Sequence, residues 1–354
     1  MDKGLIAAIL FVLTVGTSYA FVSKASSLFE QWGLVDKPGP LRVNPNVVAR
    51  GLGVAMFLAF LVGIGVSYSL PVERFPVETE RILLMIIGAA IVVAVMLVDD
   101  AIDLPPRIKL MWQVVAGLMI ILPRVQGESR GIVIEQFNVP WIGVVTVPLV
   151  IAFAGTLLWL VGMMNVMNWV DGLDGLAGSI SFVACVIMFI HTFWGLGGLQ
   201  QFTISLLPLL LGAAILGFLP FNWYPSKVIM GDAGAMFLGY MLGVVSIIGG
   251  AKIGMMLLVL GFPILDGIWV TMNRIMSGKH AMERDVGHLH HRLLRAGFNQ
   301  PQVVLIFAGI SAIFGGFALL LPSRELKLVA LVVMGALLLA VIAWLARHPE
   351  KELI

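Results

Sequence analysis

Two adjacent carboxylates, Asp99 and Asp100, close an apolar run from Ile91 to Val98, and Asp103 follows three residues later. Acidic groups at such a boundary are costly unless they pair, bind a cation or face water. Like charges this close also resist joint ionisation. The pattern suits either a solvated helix end or an acid–base or metal site. A denser group follows at Asn165, Asn168 and Asp171, whose i, i+3, i+6 spacing puts them near one face of a helix. Asp174 then sits among Gly172, Leu173 and Gly175, where glycine permits tight turns or close approach of a ligand. An acidic turn with no charged neighbour in sequence is the kind of oxygen-donor cluster that Mg2+ uses, with Mn2+ as a substitute. Asp232, in Met230-Gly231-Asp232-Ala233-Gly234, opens an apolar run. Taken alone, both it and Asp174 could be helix caps.

The segment His288-Leu289-His290-His291-Arg292 holds three of the chain's six histidines. Neighbouring histidines suit one tetrahedral zinc poorly, and no cysteine is nearby to help. Lys279, Arg284, Arg292 and Arg295 surround the segment, so it reads as a phosphate clamp facing the carboxylates. His191, His280 and His348 lack such company. Asp266 lies inside an apolar run, eight residues before Arg274, and needs a buried partner or a water-filled cavity.

The elements that position these groups follow from composition. Of 354 residues, 60% are apolar and 12% charged, where a soluble domain carries about 25% charge. The expected fold class is all-α, a polytopic integral membrane protein in one multi-spanning domain over residues 1–354. Apolar runs long enough to cross a bilayer, about 20 residues, lie at roughly 4–22, 51–70, 82–98, 109–123, 142–161, 175–195, 203–221, 232–250, 254–271, 303–321 and 326–346. This gives about 11 transmembrane helices. Ten is the alternative, because the run at 109–123 is short and that at 142–161 could continue into Met167. Ser18-Tyr19-Ala20 imitates a cleavage site, but Asp2 partly cancels Lys3 and the run is long for a signal core, so it reads as a retained first helix. Lys and Arg divide 14 to 8 between alternate faces. That bias sets the N-terminus outside and the C-terminus in the cytoplasm of the inner (plasma) membrane.

The same topology places five unusual segments in the first, third, fifth, seventh and ninth connections, all on the cytoplasmic face. They are Asp36 to Arg50, Asp99 to Lys109, Asn165 to Asp174, Asn222 to Asp232, and Asp285 to Arg292. A net charge of +2 with scattered cations excludes nucleic acid as a partner. The single cysteine, Cys185, reads as a core residue. Gly239 and Gly243 make a small-xxx-small step for a neighbouring helix, either of the same chain or of a second copy in a homodimer. Acidic loops for Mg2+, basic loops for phosphates and a membrane body suit a diphosphate-bearing soluble substrate that meets a lipid acceptor.

These residues resemble the polyprenyl-phosphate N-acetylhexosamine-1-phosphate transferases from about Val35 to Phe298. The resemblance rests on Val35-Asp36-Lys37-Pro38, Asp99-Asp100 with Lys109 and Gln113, and Asn165-x-x-Asn168-x-x-Asp171-Gly-Leu-Asp174-Gly-Leu. Met230-Gly231-Asp232-Ala233-Gly234 and His288-Leu-His290-His291 complete it. The histidine pattern is closer to the bacterial enzymes that begin lipopolysaccharide or teichoic-acid linkage units than to the peptidoglycan translocase.

The resemblance implies transfer of N-acetylhexosamine-1-phosphate, most simply GlcNAc-1-phosphate, from a UDP-sugar (UDP-GlcNAc) to undecaprenyl phosphate, with release of UMP. It implies Asp232 as the principal Mg2+ ligand, supported by Asn168 and Asp171. Asp174, the Gly172-Leu173 backbone and Asn222 would lie near the uridine. Lys109, His288, His290, His291 and Arg292 would hold phosphate or sugar. Asp99 and Asp100 would be catalytic, as nucleophile in a covalent route or as base or positioner in a direct one. A phosphate monoester is largely ionised at neutral pH, with a second pKa near 6, which favours direct attack. The chain departs from the family at Ile229, where an aromatic is usual, at Ala235, where serine is common, and across Arg42-Val43-Asn44 and Ala49-Arg50-Gly51-Leu52-Gly53. Two rivals fit less well. An intramembrane prenyltransferase would need a second, similarly spaced aspartate motif. A transporter would show internal repeats and midplane charges.

Overall fold

The computed structural model describes residues 2–36, 47–125, 128–129, 131–196, 200–248, 252–277 and 288–347. Lys37 and Pro38, Arg42 to Asn44, His280 and His348, Asp285, and the expected clamp residues Lys279 and Arg284 lie outside them. Each of the eleven apolar runs forms a helix. In chain order these are α1 (Lys3–Gln31), α2 (Gly53–Tyr68), α3 (Pro76–Ile102), α4 (Pro106–Ile121), α5 (Leu149–Val170), α6 (Leu176–Trp194), α7 (Phe202–Asn222), α8 (Gly231–Ile247) and α9 (Ile253–Met276). A short α10 (Leu289–Arg295) precedes α11 (Gln300–Leu320) and α12 (Arg324–Arg347). Eight of these helices are long and apolar enough to cross a membrane. The protein is an all-α, multi-pass membrane protein. At about 1.5 Å per residue, the 16 or 17 residues of α2, α4 and α8 reach only about 24–26 Å, short of the roughly 30 Å hydrocarbon core.

The run starting at residue 142 begins later as a helix than its hydropathy suggests. Residues up to Thr146 pair instead in a hairpin of β5 (Gln136–Val139) and β6 (Gly143–Thr146), and α5 starts after Pro148. Proline is tolerated at a helix start but not within a ladder. The remaining strands are short: β1 (Val35–Asp36), β2 (Val48–Arg50), β3 (Arg124–Val125), β4 (Glu128–Ser129) and β7 (Val228–Ile229).

Helix α8 is the centre of the bundle. It is apolar on every side, and a helix of that kind is stable only when surrounded. All of its residues except Asp232 are buried, against α2, α3 and α5. A methyl group at Gly239 would overlap the Met163 carbonyl of α5. The Gly239/Gly243 step is therefore filled within the chain. Cys185 is buried in α6. Outer helices expose apolar side chains such as Val12 and Val332, as lipid-facing segments require.

Candidate active site

A three-stranded sheet brings distant loops together. β1 pairs antiparallel with β2, and β2 pairs parallel with β7, matching Arg50 to Ile229. This register delivers Arg50 to the start of α8, beside Asp232. Helix α3 ends there too, with Asp99 and Asp100 in its last turn, and the first turn of α4 contributes Lys109.

Helix α8 begins without a side-chain cap of its own, since Met230 holds that position. The first N–H groups of a helix have no partner within it. Asp100 supplies the acceptors from another helix. Its Oδ1 accepts from the Asp232 N–H at 2.9 Å and its Oδ2 from the Ala233 N–H at 3.2 Å. Arg50 Nε also donates to Oδ1 at 2.8 Å. Gly231, at φ +70°, allows this approach, because a side chain there would overlap the Asp100 carboxylate. The capping role expected as the bland reading of Asp232 thus belongs to Asp100.

Two cations tie the carboxylates together. Lys109 Nζ lies 2.6 Å from Asp99 Oδ2 and 2.8 Å from Asp232 Oδ2. Arg50 reaches Asp232 at 3.2 Å and Asp36 at 3.6 Å. Asp99 Oδ1 accepts from the Leu104 N–H at 2.8 Å. The Asp99 and Asp100 side chains have no exposed surface, whereas Asp232, Lys109 and Arg50 keep 16–21%. Access from outside is therefore to Asp232 and the two cations. Burial alone would lower the Arg50 pKa, but Asp100 and Asp232 outweigh it and hold the guanidinium above its usual value.

One ligand atom each from Asp99, Asp100 and Asp232 lies within 4.8 Å of the others. Three carboxylates without thiolate or imidazole are the hard-oxygen donor set that Mg2+ or Mn2+ takes, so the residues fit such an ion. This triad includes Asp99 and Asp100 where the sequence suggested Asn168 and Asp171. Asn168 is half-buried in the last turn of α5. Asp171 follows as that helix's C-cap. The protein packed around Asp171, then the Asp232 carboxylate, push it well above the ordinary carboxylate range.

The next loop is held from two sides. Asp174 Oδ2 accepts from the Ser226 N–H at 3.0 Å, and the Asp174 N–H donates to Gln300 Oε1 at 3.4 Å. Asn222 accepts from the Gly175 N–H at 3.2 Å and donates to the Val228 carbonyl at 3.0 Å. The Leu173 side chain is buried. Gly172 is the contact point for the histidine segment: a methyl group there would overlap His290 Nε2. His290 is buried, and that nitrogen has no hydrogen-bond partner among the described residues. Burial, with His291 and His288 beside it, holds His290 far below the usual imidazole range, so it is neutral. His291 and Arg292 are half-buried on α10.

Sequence reasoning missed Arg50 as a site residue. Its signal was its place at the end of the unusual segment Asp36 to Arg50 on the predicted cytoplasmic face, but the strand pairing that carries it to Asp232 is not readable locally.

Residues 82–250 match the profile of glycosyl transferase family 4. The chain is 28% identical over 309 residues to the probable undecaprenyl-phosphate N-acetylglucosaminyl 1-phosphate transferase of Bacillus subtilis, covering 84% of this chain and 79% of that protein. It is 27% identical over 369 residues to the decaprenyl-phosphate N-acetylglucosaminephosphotransferase of Mycobacterium tuberculosis, covering 97% and 87%. Similarity to the phospho-N-acetylmuramoyl-pentapeptide-transferase of Staphylococcus saprophyticus, at 30%, spans 172 residues, 48% of this chain and 52% of that protein.

Proposed function

Because the chain belongs to the polyprenyl-phosphate hexosamine-1-phosphate transferases, we propose that it transfers N-acetylhexosamine-1-phosphate, GlcNAc-1-phosphate in the simplest case, from a UDP-sugar to undecaprenyl phosphate. The site would lie at the cytoplasmic face of the bacterial plasma membrane, with the N-terminus outside. The product, a lipid-linked diphosphate sugar, would start a cell-surface glycan. Coverage supports the choice of sugar: the relatives named for N-acetylglucosamine align over 75–97% of the chain, the pentapeptide transferases over 36–48%.

The observation that carries the reading is the convergence of Asp99, Asp100 and Asp232 with Lys109 and Arg50 at the start of α8. Phosphoryl transfer needs little covalent chemistry from a protein and depends on positioning and charge neutralisation. Asp232, the exposed member of the triad, would hold Mg2+ with Asp99 and Asp100 behind it, and the ion when bound neutralises charge on the diphosphate. Asn168 and Asp171 would support that end of the donor. Lys109 and Arg50, the partly open cations, would face the diphosphate and the lipid phosphate. The backbone of Gly172 and Leu173, with Asp174 and Asn222, would shape the nucleoside end. His288, His290, His291 and Arg292 would hold phosphate or sugar.

In the reaction, an oxygen of the lipid phosphate attacks the β-phosphorus of the donor. The bond from that phosphorus to the bridging oxygen breaks, and UMP leaves with the electron pair. Asp100 is a poor nucleophile, since both of its oxygens accept hydrogen bonds and its side chain is unexposed. This favours direct displacement, which inverts configuration at phosphorus; retention would contradict it. The function is tested with purified protein, Mg2+, undecaprenyl phosphate and a panel of UDP-sugars, with UMP as the readout. Release with an N-acetylhexosamine donor is expected. No release with any of them would overturn the assignment.

A further inference from the structure

Asp266 stands in the middle of α9, only 5% exposed, in an otherwise apolar stretch. A carboxylate in such a place needs a specific partner. It has two, both on the segment that opens α10. Asp266 Oδ2 is 3.0 Å from His288 Nδ1, and Oδ1 accepts from the Leu289 N–H at 3.1 Å. The two contacts do different things. Leu289 is the first residue of α10, so its N–H has no acceptor inside the helix, and His288 makes no side-chain cap. Oδ1 therefore fixes where the segment starts. An ionised carboxylate can only accept, so Oδ2 requires the proton on Nδ1. This makes Nδ1 the donor and locks the ring's rotation.

The consequence extends towards the carboxylate cluster. The His288 ring stacks on His290, with centroids 5.7 Å apart and planes at 8°, and Trp169 of α5 packs beside it at 6.1 Å. His290 in turn rests on Gly172, next to Asp171. A continuous run of contacts thus joins Asp266 on α9 to the loop after α5.

We propose that Asp266 is a positioning residue for the transfer reaction: it fixes the tautomer of His288 and seats the histidine segment against Gly172. This rests on reading that segment as the part that holds phosphate or sugar. Asp266→Asn separates the two contacts, because the amide oxygen can still accept from Leu289 while its NH2 donates to Nδ1 and moves the His288 proton to Nε2.

Nitrogen NMR of histidine-labelled protein reads that tautomer directly, with no turnover needed. The expected result is an Nδ1–H imidazole for His288 in the wild type and Nε2–H in Asp266→Asn. The melting temperature should be close to wild type, and kcat should fall about 10–100-fold, as is usual for groups that orient a site histidine. The KM for the donor should change less than kcat. Asp266→Ala should lose both stability and turnover. An unchanged tautomer or an unchanged kcat in Asp266→Asn would overturn the proposal, as would a loss of turnover matched by a loss of folding. Wild-type protein without turnover on any UDP-sugar would instead overturn the functional reading. Wild-type turnover that falls in His288→Asn but not in Asp266→Asn would sink this inference alone.

Discussion

Replacing Asp100 by Asn tests whether this carboxylate is an anchor or a reacting group. Its two oxygens accept from Arg50 Nε and from the N–H groups of Asp232 and Ala233 at 2.8–3.2 Å. An amide has one acceptor. If its oxygen takes the Oδ1 place, its NH2 confronts the Ala233 N–H. A buried donor left without an acceptor costs about 1–3 kcal/mol, and a lost bond to a charged group about 1.5–3 kcal/mol. Together these approach the roughly 3–5 kcal/mol of a broken buried pair. At about 2 °C per kcal/mol for a large chain, the melting temperature should fall by roughly 6–10 °C. Turnover should fall with it, because the displaced N–H groups belong to Asp232 and Ala233. The assay is thermal melting in detergent alongside UMP release. Asp100→Asn protein that melts like wild type while losing turnover would refute the anchoring argument and restore Asp100 as a reacting group.

Arg50→Lys keeps a charge but loses the fork that spans Asp36, Asp100 and Asp232. It should lower turnover at least tenfold while Lys24→Ala, elsewhere on the same predicted face, does not; equal rates would remove Arg50 from the site. Gly172→Ala forces the rigid His290 ring aside, and overpacking of that kind costs about 1–3 kcal/mol. Reduced melting temperature and turnover are expected, partly restored by His290→Ala; no effect would mean that the contact is not maintained. His290 gives a pH prediction. Its folded-state value is depressed, so above the unfolded value of about 6.5 neither state is protonated and stability is unaffected. As pH falls below about 6.5, the unfolded chain gains a proton that the folded protein resists, and stability falls. His290→Asn should flatten this part of the melting-temperature profile, and an unchanged slope would contradict a buried neutral imidazole.

The apolar periodicity made the helical bundle legible because each span carries its own signal. It failed at residue 142, where an apolar stretch became a hairpin, since hydropathy does not separate a short strand from a helix. The acidic and histidine motifs were legible because their density is unusual. The contacts between them were not. Asp100 caps a helix that starts 131 residues later, which no local pattern records, and its oxygens meet the Asp232 N–H through tertiary packing. Asp266 was visible as a buried charge in need of a partner, but the partner, His288, lies 22 residues further along the chain. Arg50 was hidden for a related reason: its role depends on a parallel pairing of β2 with β7.

The central claim is that phosphate moves together with the sugar. A UDP-N-acetylhexosamine labelled with radioactive phosphorus in its β-phosphate tests this directly, with purified protein, undecaprenyl phosphate and Mg2+, and with Asp232→Asn as the control. The account predicts label in the lipid fraction, unlabelled UMP in equal amount, and neither with Asp232→Asn or without the lipid. Label that stays in released UDP, or lipid product formed equally well by Asp232→Asn, would contradict it.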